Sequence, residues 1–262
     1  MILVTGGVGF IGSYLQRELL ARGHETIVCD RLGSDGKWRN LAKHPPARIV
    51  APEDLDAFLA RHPPIEAVFH LGAISETTAT DGDVTWASNV ELSRRLWEWC
   101  ADRGARFVYA SSAATYGDGS AGMDDKSSDL SRFRPLNLYG YSKHLFDLYA
   151  MREGILDDIV GIKYFNVFGP NEYHKGDMRS LVCKAFDEIQ NTGRIRLFKS
   201  YKPEYPDGGQ MRDFVYVKDA VEMTLHLAET EDAGSTFFAH ELGDIAGKKS
   251  DDTEHDNRRK AF

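Results

Sequence analysis

Cysteine is scarce: Cys29, Cys100 and Cys183 are the three in 262 residues, and their wide spacing offers neither a disulfide pattern nor a metal-ligand cluster. They read as small buried hydrophobes of a reducing compartment, so a cytoplasmic location is expected and no metal is. No stretch approaches about eighteen consecutive apolar residues, and no basic leader precedes one, so neither a membrane span nor a signal peptide is expected. Positive charge is in deficit too. With 32 Lys and Arg against 40 Asp and Glu, the formal charge is −8, which disfavours nucleic acid and anionic membrane as partners and leaves small molecules. Internal repeats and low-complexity linkers are also lacking.

What is present is an ordinary globular balance, 42% hydrophobic and 27% charged, in a chain long enough for one large core and a smaller lobe. Short runs rich in β-branched and aromatic residues at 2–4, 26–28, 67–69, 107–109 and 159–162 alternate with helical periodicity at 10–22, 52–62 and 85–103. Such alternation predicts an α/β fold, a Rossmann-type doubly wound parallel sheet. The expected division is a dinucleotide-binding domain over 1–165, a small substrate lobe over 166–234 with sheet-returning segments, and an irregular, highly charged tail over 235–262.

Between the first strand and the first helix lies TGGVGFIG (5–12), with glycines at 6, 7, 9 and 12. A tight turn, close approach to a pyrophosphate and helix-on-strand packing all call for glycine there, and the helix N-terminus faces the phosphate charge. Bare glycine spacing is weak evidence, but Asp30 ends the second predicted strand, where a carboxylate can bond ribose hydroxyls. A nicotinamide dinucleotide is therefore expected on Gly6, Gly7, Gly9, Gly12 and Asp30. Arg31, Lys37 and Arg39 can neutralise a 2′-phosphate, which tilts the expectation to NADP, with NAD possible. The plain alternative is that these cations form a solvated loop.

YGYSK (139–143) sets Tyr139 and Lys143 four apart on one helix face. The strand ending in SSAATYG (111–117) brings a hydroxyl, Ser112, to the same carboxyl edge of the sheet. Tyr139 can then exchange a proton with a substrate hydroxyl while a hydride moves to nicotinamide, helped by the Lys143 charge.

These elements make the chain resemble the extended short-chain dehydrogenase/reductase superfamily of nucleotide-sugar epimerases and dehydratases. More narrowly, SSAATYG, PLNLYGYSK (135–143) and YFNVFGP (164–170) followed by His174-Lys175-Gly176 resemble its ADP-glycero-manno-heptose 6-epimerase family over roughly residues 1–232. The resemblance implies an isomerase of lipopolysaccharide-precursor biosynthesis. It would oxidise C6″ of an ADP-heptose with tightly bound NADP and return the hydride to the opposite face. It further implies that Tyr139 and Lys175 serve as the two acid/base groups, with Lys143 on the nicotinamide ribose and Ser112 on the reacting oxygen. Phe10, Ile11, Leu71, Gly72, Ala73, Ile74, Ser75, Asn89, Val167 and Lys175 match cofactor positions. Ser112, Asn166, Asp177, Lys184, Phe198 and Arg212 match substrate positions, Arg212 being suited to a diphosphate. Family members associate, so a homo-oligomer is implied.

Two departures stand out. Asp177 replaces a substrate-contacting serine, and Lys199-Ser200-Tyr201 with the following segment replaces a shorter loop. Beyond residue 234 the family continues with a Phe-Asn-x-Gly strand and a further substrate-lobe segment that 235–262 does not resemble, which implies an incomplete lobe. Two other readings follow: another nucleotide-sugar epimerase, dehydratase or reductase in which Lys175 has no role, and a catalytically impaired dinucleotide-binding protein.

Overall fold

The computed structural model describes residues 1–124, 129–200, 203 and 206–230, and the backbone of 235–238. Strands β1 (Ile2–Thr5), β2 (Thr26–Cys29) and β6 (Val160–Tyr164) are buried at every residue, as continuous apolar runs must be when both sheet faces are covered. With β3 (Arg48–Val50), β4 (Ala67–His70), β5 (Arg106–Ser112) and β9 (Ser235–Phe238), they form one parallel sheet in the order β3-β2-β1-β4-β5-β6-β9. The order reverses between β1 and β4. In open α/β sheets a crevice forms at the carboxyl ends of the strands at that point, and ligands bind there.

Alternate residues of each strand feed two cores. Ile2, Val4, Val108 and Ile162 pack with Phe10 and Leu15 of α1 (Phe10–Ala21) and Val221 and Leu225 of α7 (Val217–Glu229). On the opposite face, Leu3, Val68, Phe107 and Tyr109 pack with α2 (Leu55–Leu59), α4 (Leu92–Ala101) and α5 (Leu138–Arg152). Phe107 is fully buried, with its ring centroid 6.5 Å from Tyr109 and 6.3 Å from Phe146. Asn137 starts α5 by accepting the Gly140 N–H at 2.8 Å, an N-cap that fixes where the helix carrying Tyr139 begins.

Four features differ from the sequence expectation. The helix expected over 85–103 starts earlier, at α3 (Gly82–Trp86) behind an Asp81 cap, and passes through a π turn at Ala87–Glu91 before α4. Strand β3 was not anticipated, because an exposed three-residue edge strand has too little apolar signal. Segment 217–229, expected within the substrate lobe, packs on the main sheet as α7. Residues 235–238, expected to be irregular, pair with β6 from Val160↔Ser235 to Lys163↔Phe238. The rest of the expected tail, 239–262, lies outside the described residues. The outer lobe comprises β7 (Asn166–Phe168) paired with β8 (Phe214–Tyr216), and α6 (Leu181–Thr192), which buries none of its residues. Among the described residues no helix is long and apolar enough to cross a membrane.

Replacing Phe107 by Ala removes a ring from the centre of the second core and is expected to cost about 3–5 kcal/mol in urea unfolding; a loss below about 1 kcal/mol would contradict this placement of the core.

Candidate active site

The glycine turn leaves β1 in a conformation that only glycine adopts without strain at position 6, where φ is +70°. A Cβ on Gly6 would lie 2.7 Å from the Gly72 nitrogen, and one on Gly12 would lie 2.2 Å from the Gly6 carbonyl oxygen. These two contacts press the turn against the β4 end and seat α1 on the strand. Gly9 differs: a Cβ there would meet only the Gly6 carbonyl, at 3.1 Å, so its outer side is open. Gly9 also caps α1 without a side-chain hydrogen bond, and the first turn holds no acidic residue. The helix N-terminus is thus left to an external anion.

Asp30 stands at the end of β2. Its carboxylate accepts the Val8 N–H at 3.0 Å, the Arg31 N–H at 2.7 Å and the Lys37 ammonium at 3.0 Å. Arg31 points outward to Glu53 at 3.2 Å, and the Arg39 guanidinium lies 5.7 Å from the Trp38 ring centre. On the other side of the crevice, Gly72, Ala73 and Ile74 are half-buried after β4 and Ser75 is exposed. The Ile74 N–H donates to Asn89 Oδ1 (2.8 Å), and Asn89 Nδ2 donates to the Ile74 carbonyl and to Ser142 Oγ (both 2.9 Å). Ser142 in turn donates to the Tyr139 carbonyl at 2.7 Å. Asn89, expected to touch cofactor, spends these bonds clamping the 71–75 loop to the first turn of α5.

Beneath that loop runs a chain of hydrogen bonds whose direction follows from its ends. Gly72 N–H donates to Thr5 Oγ1 (3.0 Å) and Ser93 Oγ donates to the Asn89 carbonyl (2.7 Å). His70 between them therefore accepts from Thr5 at Nδ1 (2.6 Å) and donates from Nε2 to Ser93 (2.9 Å), which is the neutral ring. Burial, and then the nearby Lys143 charge, push its pKa down to about 3.

Tyr139, Lys143 and Ser112 come together as expected. The Ser112 hydroxyl hydrogen-bonds the Tyr139 side chain and draws its pKa down, against a larger upward push from burial and a smaller one from Asp147. Lys143 is 1% exposed, its ammonium 4.7 Å from the Tyr109 ring centre, and Nζ makes no hydrogen bond with any described residue. Burial lowers it to about 7, and Asp147 opposes the shift. A buried ammonium without a partner at the crevice edge fits a ribose hydroxyl of a bound dinucleotide, as the open side of Gly9 fits its pyrophosphate.

Lys175 lies on the loop after β7, its ammonium 5.6 Å from the ring centre of Phe10 at the start of α1. It is half-buried and its pKa is lowered by that burial, with Glu172 acting the other way. The loop is held from within by fully buried Glu172, which accepts from Gly169 N–H (3.1 Å) and from Ser180 N–H and Oγ (2.5 and 2.7 Å). It is also fastened to the dinucleotide-binding half. Asn40 Nδ2 donates to the Val8 and Asn171 carbonyls (3.1 and 3.2 Å), and Asn171 Nδ2 donates to Ser13 Oγ (3.1 Å). Neither Asn40 nor Glu172 was anticipated; a lone polar residue in a polar loop carries no periodic signal.

Asp177, Phe198 and Arg212 are exposed. The Lys184 ammonium donates to the Asp177 carbonyl, Asn166 Nδ2 to the Asp213 carbonyl at 2.9 Å, and Arg212 to the Met211 carbonyl at 2.8 Å. Val167 is half-buried in β7.

A glycine turn opening a helix, a carboxylate at the end of β2 and a Ser-Tyr-Lys set at the switch point of a doubly wound sheet define a dinucleotide-dependent enzyme of nucleotide-linked substrates. Residues 2–239 match the NAD dependent epimerase/dehydratase family, and the chain belongs to it. It is 50% identical over 241 residues, 90% of its length and 75% of the relative's, to the ADP-L-glycero-D-manno-heptose-6-epimerase of Nitratidesulfovibrio vulgaris. Identity to the protein of the same name from Fusobacterium nucleatum is 42%, over 85% of this chain and 69% of that one. The solved ADP-L-glycero-D-manno-heptose-6-epimerase of Helicobacter pylori superposes with a TM-score of 0.76 at 26% identity, covering 95% of this chain and 81% of the other.

The low His70 pKa has a thermodynamic sign. Unfolded imidazole titrates near 6.5, so the unfolded chain takes up a proton first as pH falls. The stabilisation is complete above about pH 6.5 and is lost towards pH 3 at about 1.4 kcal/mol per unit. Between about pH 7 and pH 5, urea unfolding of the wild type should lose about 2 kcal/mol more than that of His70→Asn; equal losses would place the imidazole in solvent.

Proposed function

We propose that this chain inverts C6″ of ADP-glycero-manno-heptose by transient oxidation and re-reduction, using tightly bound NADP, as a step in making a lipopolysaccharide precursor. The observation that carries this reading is the placement of Lys175, which we read as the second base. Lys175, in the His-Lys-Gly element, is withdrawn from solvent against Phe10 at the mouth of the dinucleotide cradle and fastened there through Asn40 and Asn171. A surface lysine would need none of this. When bound, the dinucleotide accepts and returns a hydride.

Around it the chain's own residues manage protons and position. Tyr139 takes the C6″ hydroxyl proton of one epimer, with Ser112 holding the oxygen and Lys143 favouring the phenolate by charge and holding the nicotinamide ribose. After the keto sugar turns over, Lys175 supplies the proton on the opposite face; a lowered pKa from burial suits a lysine to that exchange near neutral pH. Arg212 and Asn166 are assigned to the substrate, Arg212 to its diphosphate, turning from their present backbone partners to do so. The preference for NADP rests on Asp30: Lys37 offsets its charge, so it repels a 2′-phosphate less, while Arg31 and Arg39 stand exposed beside it. Unpaired Cys29, Cys100 and Cys183 suit a cytoplasmic location.

Purified protein is expected to convert ADP-D-glycero-D-manno-heptose to its epimer without added cofactor, followed by anion-exchange chromatography. Tyr139→Phe and Lys175→Ala should each slow conversion by about 10²–10⁴-fold. Undiminished turnover in Lys175→Ala would remove the two-base scheme and leave another activity of the family. Lys37→Ala is expected to weaken NADP binding about tenfold or more in calorimetry while sparing NAD, as one charge-assisted contact is lost; equal weakening of both would place Lys37 away from the 2′-phosphate.

A further inference from the structure

On the face of α5 that meets the sheet, Tyr139 and Lys143 are followed after one more turn by Asp147, which is buried. Its carboxylate accepts Ser111 Oγ at 2.9 Å on both oxygens and forms an ion pair with the Lys163 ammonium. Ser111 and Lys163 are register partners on β5 and β6 and so reach the same side of the sheet. Lys163 also donates to Thr115 Oγ1 at 2.8 Å, and Thr115 donates to the Ser112 carbonyl at 2.9 Å. The pair thus sits directly under the strand end that carries Ser112. No step of the epimerisation uses it.

The groups around Lys143 can be taken element by element. Tyr139, His144 and Asp147 come from α5, Tyr109, Ser111 and Ser112 from β5, Lys163 from β6, His70 from β4, and Thr115 and Tyr116 from the turn after β5. Burial and the direction of its hydrogen bonds make His70 neutral, and His144 is held down by its burial. The formal charges left in this dry volume are two ammoniums and one carboxylate. Their sum is +1, which the Tyr139 phenolate would bring to zero. Without the carboxylate, two ammoniums would share a buried site with nothing opposite, an arrangement that expels a proton.

We propose that Asp147, locked by Lys163 and Ser111, is a positioning residue that keeps the Lys143 ammonium charged and so sets the upper pH limit of the Tyr139–Lys143 couple. This rests on the proposed catalytic role of Lys143. The direction agrees with the electrostatics at Lys143, where Asp147 is what opposes burial.

The test uses the protein as purified, labelled with ε-¹³C lysine, with the Lys143 signal assigned through Lys143→Arg and its titration followed by NMR. In Asp147→Asn the midpoint should fall by about 1 unit or more. Because that variant leaves Lys163 as a buried charge and can fail to fold, Asp147→Asn/Lys163→Met is the second arm. It carries no orphaned charge, and the Lys143 midpoint should fall there too, by less, because the Lys163 ammonium goes with the carboxylate and only the support of Asp147 against burial is lost. The alkaline limb of kcat/KM for epimerisation should move down with it, and Asp147→Glu should restore it in part. An unmoved Lys143 midpoint in the folded double variant overturns the proposal, as does a lower kcat with an unmoved limb. Since the titration needs no substrate, a shift without any epimerisation would uphold the role of Asp147 and count against the proposed reaction.

Discussion

Everything at this crevice depends on three close contacts of the glycine turn that leave no room for a side chain. Gly12 meets the Gly6 carbonyl, Gly6 meets Gly72, and Gly7 rests against Val28. These contacts bring the ends of β1, β2 and β4 together, so the N-terminus of α1, the carboxylate of Asp30 and the 71–75 loop face one space. At Gly6 and Gly12 a single added methyl would have to displace backbone, and at Gly7 it would run into the buried Val28 side chain. Rigid preorganisation matters because N–H dipoles attract an anion only when their geometry is kept.

On the opposite side of the crevice, polar groups are buried where apolar ones would stabilise the fold more. The Lys163–Asp147 pair is almost wholly excluded from water, and breaking such a pair by removing one partner costs about 3–5 kcal/mol, although a well-packed apolar substitute for both is often no worse. Its retention beneath α5 makes sense as an electrostatic setting for the proposed site rather than as a source of stability. The Thr5–His70–Ser93 chain is comparable. It satisfies every polar atom in its path and fixes the imidazole as neutral, so it adds no charge to a site already carrying Lys143.

Much of the site was legible beforehand because local spacing encodes it. A glycine turn after a strand, and a Tyr and Lys four apart after a helix cap, are readable from neighbours in sequence. Asp147 carried the same periodic signal, one turn beyond Lys143, yet its meaning depends on Lys163, which only parallel pairing of β5 and β6 brings beside it. Asn40 was illegible for a related reason, since it joins segments distant in the chain, whereas Glu172 ties together its own loop between Gly169 and Ser180 without any periodic signal. Strand β9 was missed because residues 235–238 are too few to show a period; β6 supplies the ladder that makes them a strand.

The sequence by itself determined the element pattern, the dinucleotide cradle and the face of α5 that bears the chemistry, since each arises from residue types within a few positions of one another. The tertiary structure alone decided which charges share the dry interior, how the Lys175 loop is fastened beside Phe10, and that residues 235–238 join the main sheet beside β6. Those outcomes depend on register and on long-range packing, for which no local pattern exists.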